Sequence, residues 1–201
     1  MNFPIHQNLP RIGVIVMILV VFACSDKDNT LTTDACYGTS CLNGGTCLNG
    51  SCNCPQGYAG FHCETKLTPV SLTITGIEVS LFPLTDFSDN MWDASDRSNP
   101  DPYILLNPGP ATVFSYYKSE VVNNAIAPLS YSNDLPYTLS NIDQGWSISV
   151  VDDDQSEGYQ DQIMGGFYFT PISYDTDFPQ TIELISSVQS LSITLAVIWN
   201  F

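Results

Sequence analysis

Five carboxylates stand in the sixteen residues from Asp86 to Asp101 (DFSDNMWDASDRSNPD), and five more follow at Asp152, Asp153, Asp154, Glu157 and Asp161. Neither stretch contains a histidine or a cysteine. Oxygen ligands without softer donors suit a hard divalent cation, and calcium takes about six to eight of them from carboxylates and carbonyls on loops. Like charges this close repel and weaken a compact fold. Basic side chains offer little relief, since residues 69–201 hold 17 acids against Arg97 and Lys118. If the two stretches meet, a cation is the natural counter-charge. Two carboxylates at a suitable separation can also hydrolyse a glycoside, which keeps a hydrolase as a remote reading. There is no G-x-S-x-G, H-E-x-x-H or P-loop, and the sole histidine beyond the first 23 residues, His62, abuts Cys63. A catalytic role is therefore not expected.

The elements that must carry these acids are strands. Alternation at period two runs through Val70, Leu72, Ile74 and then Ile77, Val79, Leu81, with Gly76 at the change of phase, where a bulge would switch faces. Further runs occupy Tyr103–Leu106, Thr112–Tyr117, Trp146–Val151, Phe167–Thr170, Thr181–Ile185 and Leu191–Trp199, separated by Pro, Gly, Asn and Asp. Helical periodicity is absent. About eight short strands with turn signals between them predict a mainly β chain, with an eight-stranded antiparallel β-sandwich over residues 70–201. Both acidic stretches fall in loops between strands.

The N-terminus carries Arg11 and an apolar run, Ile12–Phe22, too short to span a bilayer as a helix. It reads as a secretion signal over residues 1–23. Its end, Val21-Phe22-Ala23-Cys24, resembles the bacterial lipobox, which implies a lipid-modified Cys24 and a membrane partner through that lipid. Ser25-Asp26-Lys27-Asp28 resembles the surface-export signal of Bacteroidetes lipoproteins, so the expected location is the outer membrane, exposed at the cell surface, with residues 24–35 as an acidic polar tether. Cleavage leaves 4 basic against 21 acidic residues, a charge of −17. A nucleic acid is excluded as a partner, because neutralising its phosphates takes Lys and Arg.

Six further cysteines, Cys36, Cys41, Cys47, Cys52, Cys54 and Cys63, crowd into residues 36–63, and none follows. Six cysteines allow about fifteen pairings, and the spacing does not choose among them. CLNGGTC followed by CNCPQGYAGFHC resembles an epidermal-growth-factor-like (EGF-like) module. That resemblance implies Cys36 with Cys47, Cys41 with Cys52, and Cys54 with Cys63. So short a segment cannot bury enough apolar area to fold without staples. Thr32-Thr33-Asp34-Ala35 before Cys36 offers one carboxylate where calcium-binding members of the family carry a run of acids, so this module is expected to bind none. Residues 64–69 read as a linker. With no cysteine beyond residue 63, the sandwich is expected to fold without the disulfides.

Asp101-Pro102-Tyr103-Ile104, together with Val151-Asp152-Asp153-Asp154 and Asp161-Gln162-Ile163-Met164-Gly165, resembles the C2 domain of synaptotagmins and protein kinases C. Carried over residue by residue, that likeness implies calcium held by Asp93, Asp101, Asp152, Asp154 and Asp161, with Asp89 and Asp96 competing for the place of Asp93. It also implies an anionic lipid partner, with Met91, Trp92, Tyr159 and Ile163 as apolar loop tips unless Trp92 and Ile163 pack beneath the loops. Two basic residues are too few for a lysine-rich phosphoinositide site. The functional expectation is a calcium-dependent binding or adhesion module for a lipid, glycan or protein ligand. The alternative is a structural envelope lipoprotein that binds an envelope or host protein without calcium.

Overall fold

A computed structural model describes residues 34–86, 88–93, 97–110, 116–155 and 158–201. The signal segment, Cys24 and most of the tether lie outside the described residues, as do Asp96, Glu157 and most of the run expected at Thr112–Tyr117. Ala35–Phe201 forms one compact unit.

The unit begins with a disulfide module. Strands β1 (Thr46–Leu48) and β2 (Ser51–Asn53) pair as one hairpin, and β3 (Tyr58–Ala59) pairs with β4 (Thr65–Lys66) as another. Disulfides join Cys36 to Cys47, Cys41 to Cys52 and Cys54 to Cys63. Within residues 36–66 only Gly57 and Cys63 are buried. With so little apolar interior, the crosslinks carry the stability that a core would otherwise supply.

Two antiparallel sheets follow. In the first, β12 (Thr181–Ser186) pairs with β13 (Leu191–Asn200), which pairs with β5 (Ser71–Leu81). The other edge of β5 is shared by β8 (Leu129–Tyr131), opposite Ile77–Val79, and β9 (Tyr137–Leu139), opposite Leu72–Ile74. These two short strands fill one strand position. The second sheet has the order β11 (Gln162–Phe169), β10 (Trp146–Asp152), β6 (Pro102–Pro108), β7 (Tyr117–Lys118). Eight strand positions in two layers give the expected sandwich. The inner faces meet in a core that includes Leu72, Ile74, Ile77, Val79, Ile104, Leu106, Ile148, Val150, Ile193, Leu195 and Trp199.

The change of phase in β5 is a bulge. Ala196 faces Gly76 and Val197 faces Ile74, so Thr75 has no partner of its own, and Leu72, Ile74, Ile77 and Val79 all turn inward. Strand β11 starts well before the run expected at Phe167. Gly165-Gly166 reads as a breaker in the sequence, yet it permits a close approach: a Cβ on Gly166 would stand 2.6 Å from the Ile148 carbonyl oxygen of β10. Strands β8 and β9 escape the sequence pattern because each spans three residues and follows a proline, Pro128 or Pro136.

The disulfide module packs against one pole of the sandwich. The Gln56 side-chain amide donates to the Trp199 carbonyl at 2.6 Å. Tyr58 meets Phe178 edge-on, and Phe178 in turn contacts Trp199 and Phe201. Gly57 has φ +84°, and a Cβ there would fall 2.1 Å from the Phe178 ring, so both the backbone and the space demand glycine. Lys66 pairs with Asp175 at 3.4 Å and lies over the Phe178 ring.

Candidate metal centre

The acids gather at the opposite pole. Pro102, which opens β6, is paired with Asp152, which closes β10. The loop entering β6 and the loop leaving β10 therefore start side by side. Asp152 continues the inward alternation of Trp146, Ile148 and Val150, so its carboxylate lies on the core side and is fully buried. The Asp101 N–H, from the neighbouring loop, donates to Asp152 Oδ1 at 2.7 Å.

Asp93 reaches the same place from the segment that follows β5. Asp86 Oδ1 accepts from the backbone N–H groups of Ser88 and Asn90, and Asp86 Oδ2 from the Asn90 side-chain amide. These bonds, the Asn90 side chain first, hold the Asp86 carboxyl below its ordinary range. Trp92 is buried, with its indole N–H donating to the Pro83 carbonyl at 2.8 Å. It packs beneath the loop instead of forming a tip. That anchor fixes its neighbour Asp93, whose Oδ2 accepts from the Ser98 hydroxyl.

Asp93, Asp152 and Asp154 each offer an oxygen within 4.8 Å of the others, and each is at most 2% exposed. Asp154 Oδ2 also accepts from the Gln162 side-chain amide at 3.1 Å. Burial is the main force lifting the Asp152 carboxyl to about 7, and Asp93, Asp154 and Asp101 push it in the same direction against the Asp101 N–H. Asp152 Oδ2 is buried with no hydrogen-bond partner among the described residues. A buried carboxylate oxygen without a partner, beside two further buried carboxylates, fits a hard cation.

The other two expected ligands, Asp101 and Asp161, are not part of this trio. Asp101 Oδ1 accepts from the Asn124 N–H at 2.6 Å. Asp161 Oδ2 accepts from the Tyr103 hydroxyl at 2.7 Å and the Gln155 amide at 3.0 Å. Asp153, absent from the expected set, is paired with Asp161: burial and then the Asp161 charge raise its carboxyl above the ordinary range. Of the acids competing with Asp93, Asp89 is exposed at φ +62°. Lys118 lies 3.9 Å from the Tyr103 ring centroid and lowers the Asp153 carboxyl against those effects.

The sequence gives no sign of the amide and hydroxyl donors Gln155, Gln162, Ser98 and Tyr103 as a group. Their only signal is position: Gln155 and Gln162 each follow an acid of the second stretch directly. Around the carboxylates the pole exposes Met91, Tyr159 and Ile163, and the β12–β13 turn adds Val188.

No protein-family model matches the chain. EGF-like domain-containing protein 2 of Pinctada maxima is 51% identical over 39 residues, 19% of this chain and 11% of that protein. The disulfide module is EGF-like. Lactadherin of Rattus norvegicus is 38% identical over 64 residues, 29% of this chain and 15% of its own length. Both matches thus cover only a small part of the relatives' lengths. Among solved structures, a C2 domain of plant extended synaptotagmin 1 aligns with TM-score 0.42 and 15% identity over 66% of this chain and 96% of that domain. Human GIVD cytosolic phospholipase A2 aligns with TM-score 0.45 and 14% identity over 65% of this chain and 17% of that enzyme.

Proposed function

We infer that the chain is a lipid-anchored surface protein whose sandwich is a calcium-dependent binding module, with the EGF-like module as its base and no catalytic role. The observation that carries this reading is the buried trio Asp93, Asp152 and Asp154, with its partnerless Asp152 oxygen. Calcium supplies a positive charge that the carboxylates hold and that an anionic oxygen of a ligand can share. Asp93 and Asp154 arrive from two different loops and Asp152 from the end of β10, so holding one ion ties the loops together. Asp101 and Asp161 are not among the clustered oxygens, their carboxylates being held by Asn124 and by Tyr103 and Gln155. Met91, Tyr159, Ile163 and Val188 surround it with apolar surface, which favours an anionic lipid surface over a glycan as the ligand. The lipobox-like end at Cys24 supports the anchor and the outer-membrane location.

The test is calorimetric titration of the Cys24→Ala chain with calcium, followed by co-sedimentation with phosphatidylserine vesicles. Saturable heat that disappears in Asp154→Asn, and calcium-dependent sedimentation, are the expected results. No heat up to 10 mM calcium, about tenfold above a weak extracellular site, would sink the calcium reading. Partner capture that persists in chelator would favour the structural alternative.

A further inference from the structure

Where the EGF-like module meets the first sheet, a cleft of about 350 Å³ opens beside the aromatic cluster. It is lined by Gln56 of the module, Thr75 of β5, Phe178, Gln180 and Thr181 at the entry to β12, and Ile198 of β13. Two features of the strands keep it open. The outward positions of β13 run Ser192, Thr194, Ala196, Ile198, and the smallest of them, Ala196, lines the cleft and faces Gly76 across the ladder. The bulge in β5 leaves Thr75 unpaired and exposed, with its side chain on the cleft. Bulges recur beside binding sites because the extra residue re-aims a side chain.

The polar groups of the cleft are held in place. The Thr75 hydroxyl donates to the Ala196 carbonyl at 3.2 Å, which leaves its oxygen as an acceptor. The Gln56 amide nitrogen donates to the Trp199 carbonyl at 2.6 Å, which fixes the other end of that amide. The Gln180 carbonyl accepts from the Val197 N–H at 2.8 Å, so the exposed side chains of Gln180 and Thr181 start from backbone anchored to β13.

These residues define the class of ligand. None of the lining residues is charged, although the chain carries a formal charge of −16, so the cleft offers no counter-charge to a phosphate, carboxylate or ammonium group. Its four polar side chains are amides and hydroxyls, which both donate and accept. Sugar hydroxyls do the same, whereas a peptide N–H only donates and a peptide carbonyl only accepts. Phe178 and Ile198 give the cleft an apolar side for the C–H face of a sugar ring. Its volume and its place between two domains are both usual for a small-ligand pocket.

We propose that this cleft is a second binding site, for a neutral saccharide, independent of calcium and of the acidic pole. The experiment is saturation-transfer NMR on the Cys24→Ala full chain in chelator, with methyl α-mannoside, methyl β-galactoside, N-acetylglucosamine and trialanine each used as a probe. At least one of the three sugars should bind, with a Kd on the order of 1 mM for so open a cleft. Gln180→Ala should weaken that binding about tenfold, the effect of one lost hydrogen bond. Thr181→Trp fills the cleft from an exposed strand position that tolerates an aromatic residue, and it should abolish binding. Asp154→Asn should leave binding unchanged. Saturation transfer that survives in both cleft variants would place the sugar elsewhere and overturn the site. Transfer to trialanine with none to the sugars would overturn the ligand class. No transfer to any probe at about 10 mM, roughly tenfold above the expected Kd, would overturn the proposal whatever the calcium titration shows.

Discussion

The two poles of the sandwich are closed by opposite means. At one, Phe178 lies among Tyr58, Trp199 and Phe201 under the EGF-like module, and Gln56 and Lys66 complete the contact with polar bonds. At the other, three carboxylates are packed within 4.8 Å of each other, and one of their oxygens has no protein partner among the described residues. The first pole is satisfied by the chain's own side chains. The second pole gathers buried carboxylates, and among the described residues Asp152 Oδ2 has no hydrogen-bond partner there. Protein interiors pair their buried charges because desolvating an unpaired one is expensive. The unpartnered Asp152 oxygen makes this pole the place to look for a ligand, whereas the aromatic cluster of the other pole is structural.

The largest effect should come from breaking the aromatic pole. Phe178→Ala removes the ring shared by the module and the sandwich and should lower the unfolding free energy by roughly 3–5 kcal/mol, the usual range for a buried phenylalanine. Denaturant unfolding measures the loss, and limited proteolysis should show faster cleavage near residues 66–71. A loss confined to the EGF-like module, with sandwich unfolding unchanged, would show that the two fold independently, as the cysteine distribution alone suggests.

The acidic pole should respond to pH in the sense set by Asp152. Its carboxyl is lifted from an ordinary 3.8 to about 7 in the folded chain, so the folded state holds this proton more tightly than the unfolded one. In chelator, the associated stability is fully present below about pH 4 and is lost as pH rises through about 7. The decline should be on the order of 2–4 kcal/mol. Asp152→Asn should flatten it, and thermal melts across that range provide the measurement.

Calcium should act in the opposite direction at neutral pH. Binding at a Kd on the order of 10⁻⁴ to 10⁻³ M would stabilise the chain by about 1–2 kcal/mol in a few millimolar calcium. That corresponds to a rise of a few degrees in Tm. Asp154→Asn should lose most of the rise and be no less stable than wild type in chelator, since it removes a repelling charge. The smallest change belongs to Lys66→Ala. The Lys66–Asp175 pair is partly exposed, so its loss should cost less than about 1 kcal/mol and fade further in high salt.

One pole is far more legible in the sequence than the other. The acids of the two stretches announce a charged region, and the Asp-Pro-Tyr start of β6 places Asp101 at a strand end. The alternation Trp146, Ile148, Val150 already contains Asp152 as its next inward position, a sign that its carboxylate would be buried. The aromatic pole has no such signature, because Tyr58, Phe178, Trp199 and Phe201 come from distant segments and none breaks its local pattern.

By itself the sequence determined the crowding of six cysteines into residues 36–63, the strand-forming alternation with its Gly76 bulge, and the concentration of ten acids in two stretches, while the cysteine pairing came from the EGF-like resemblance. These follow from local properties: spacing, side-chain period and turn chemistry act over a few residues. Only the tertiary structure decided which acids meet. Asp93 enters the trio because Trp92 is anchored to Pro83, Asp89 is left in solvent, and Asp153 turns to Asp161. It also decided that the EGF-like module closes one pole while the carboxylates occupy the other. Those outcomes depend on strand pairing and on contacts between residues far apart in the chain, where pairing β6 with β10 and β5 with β13 sets which loops become neighbours.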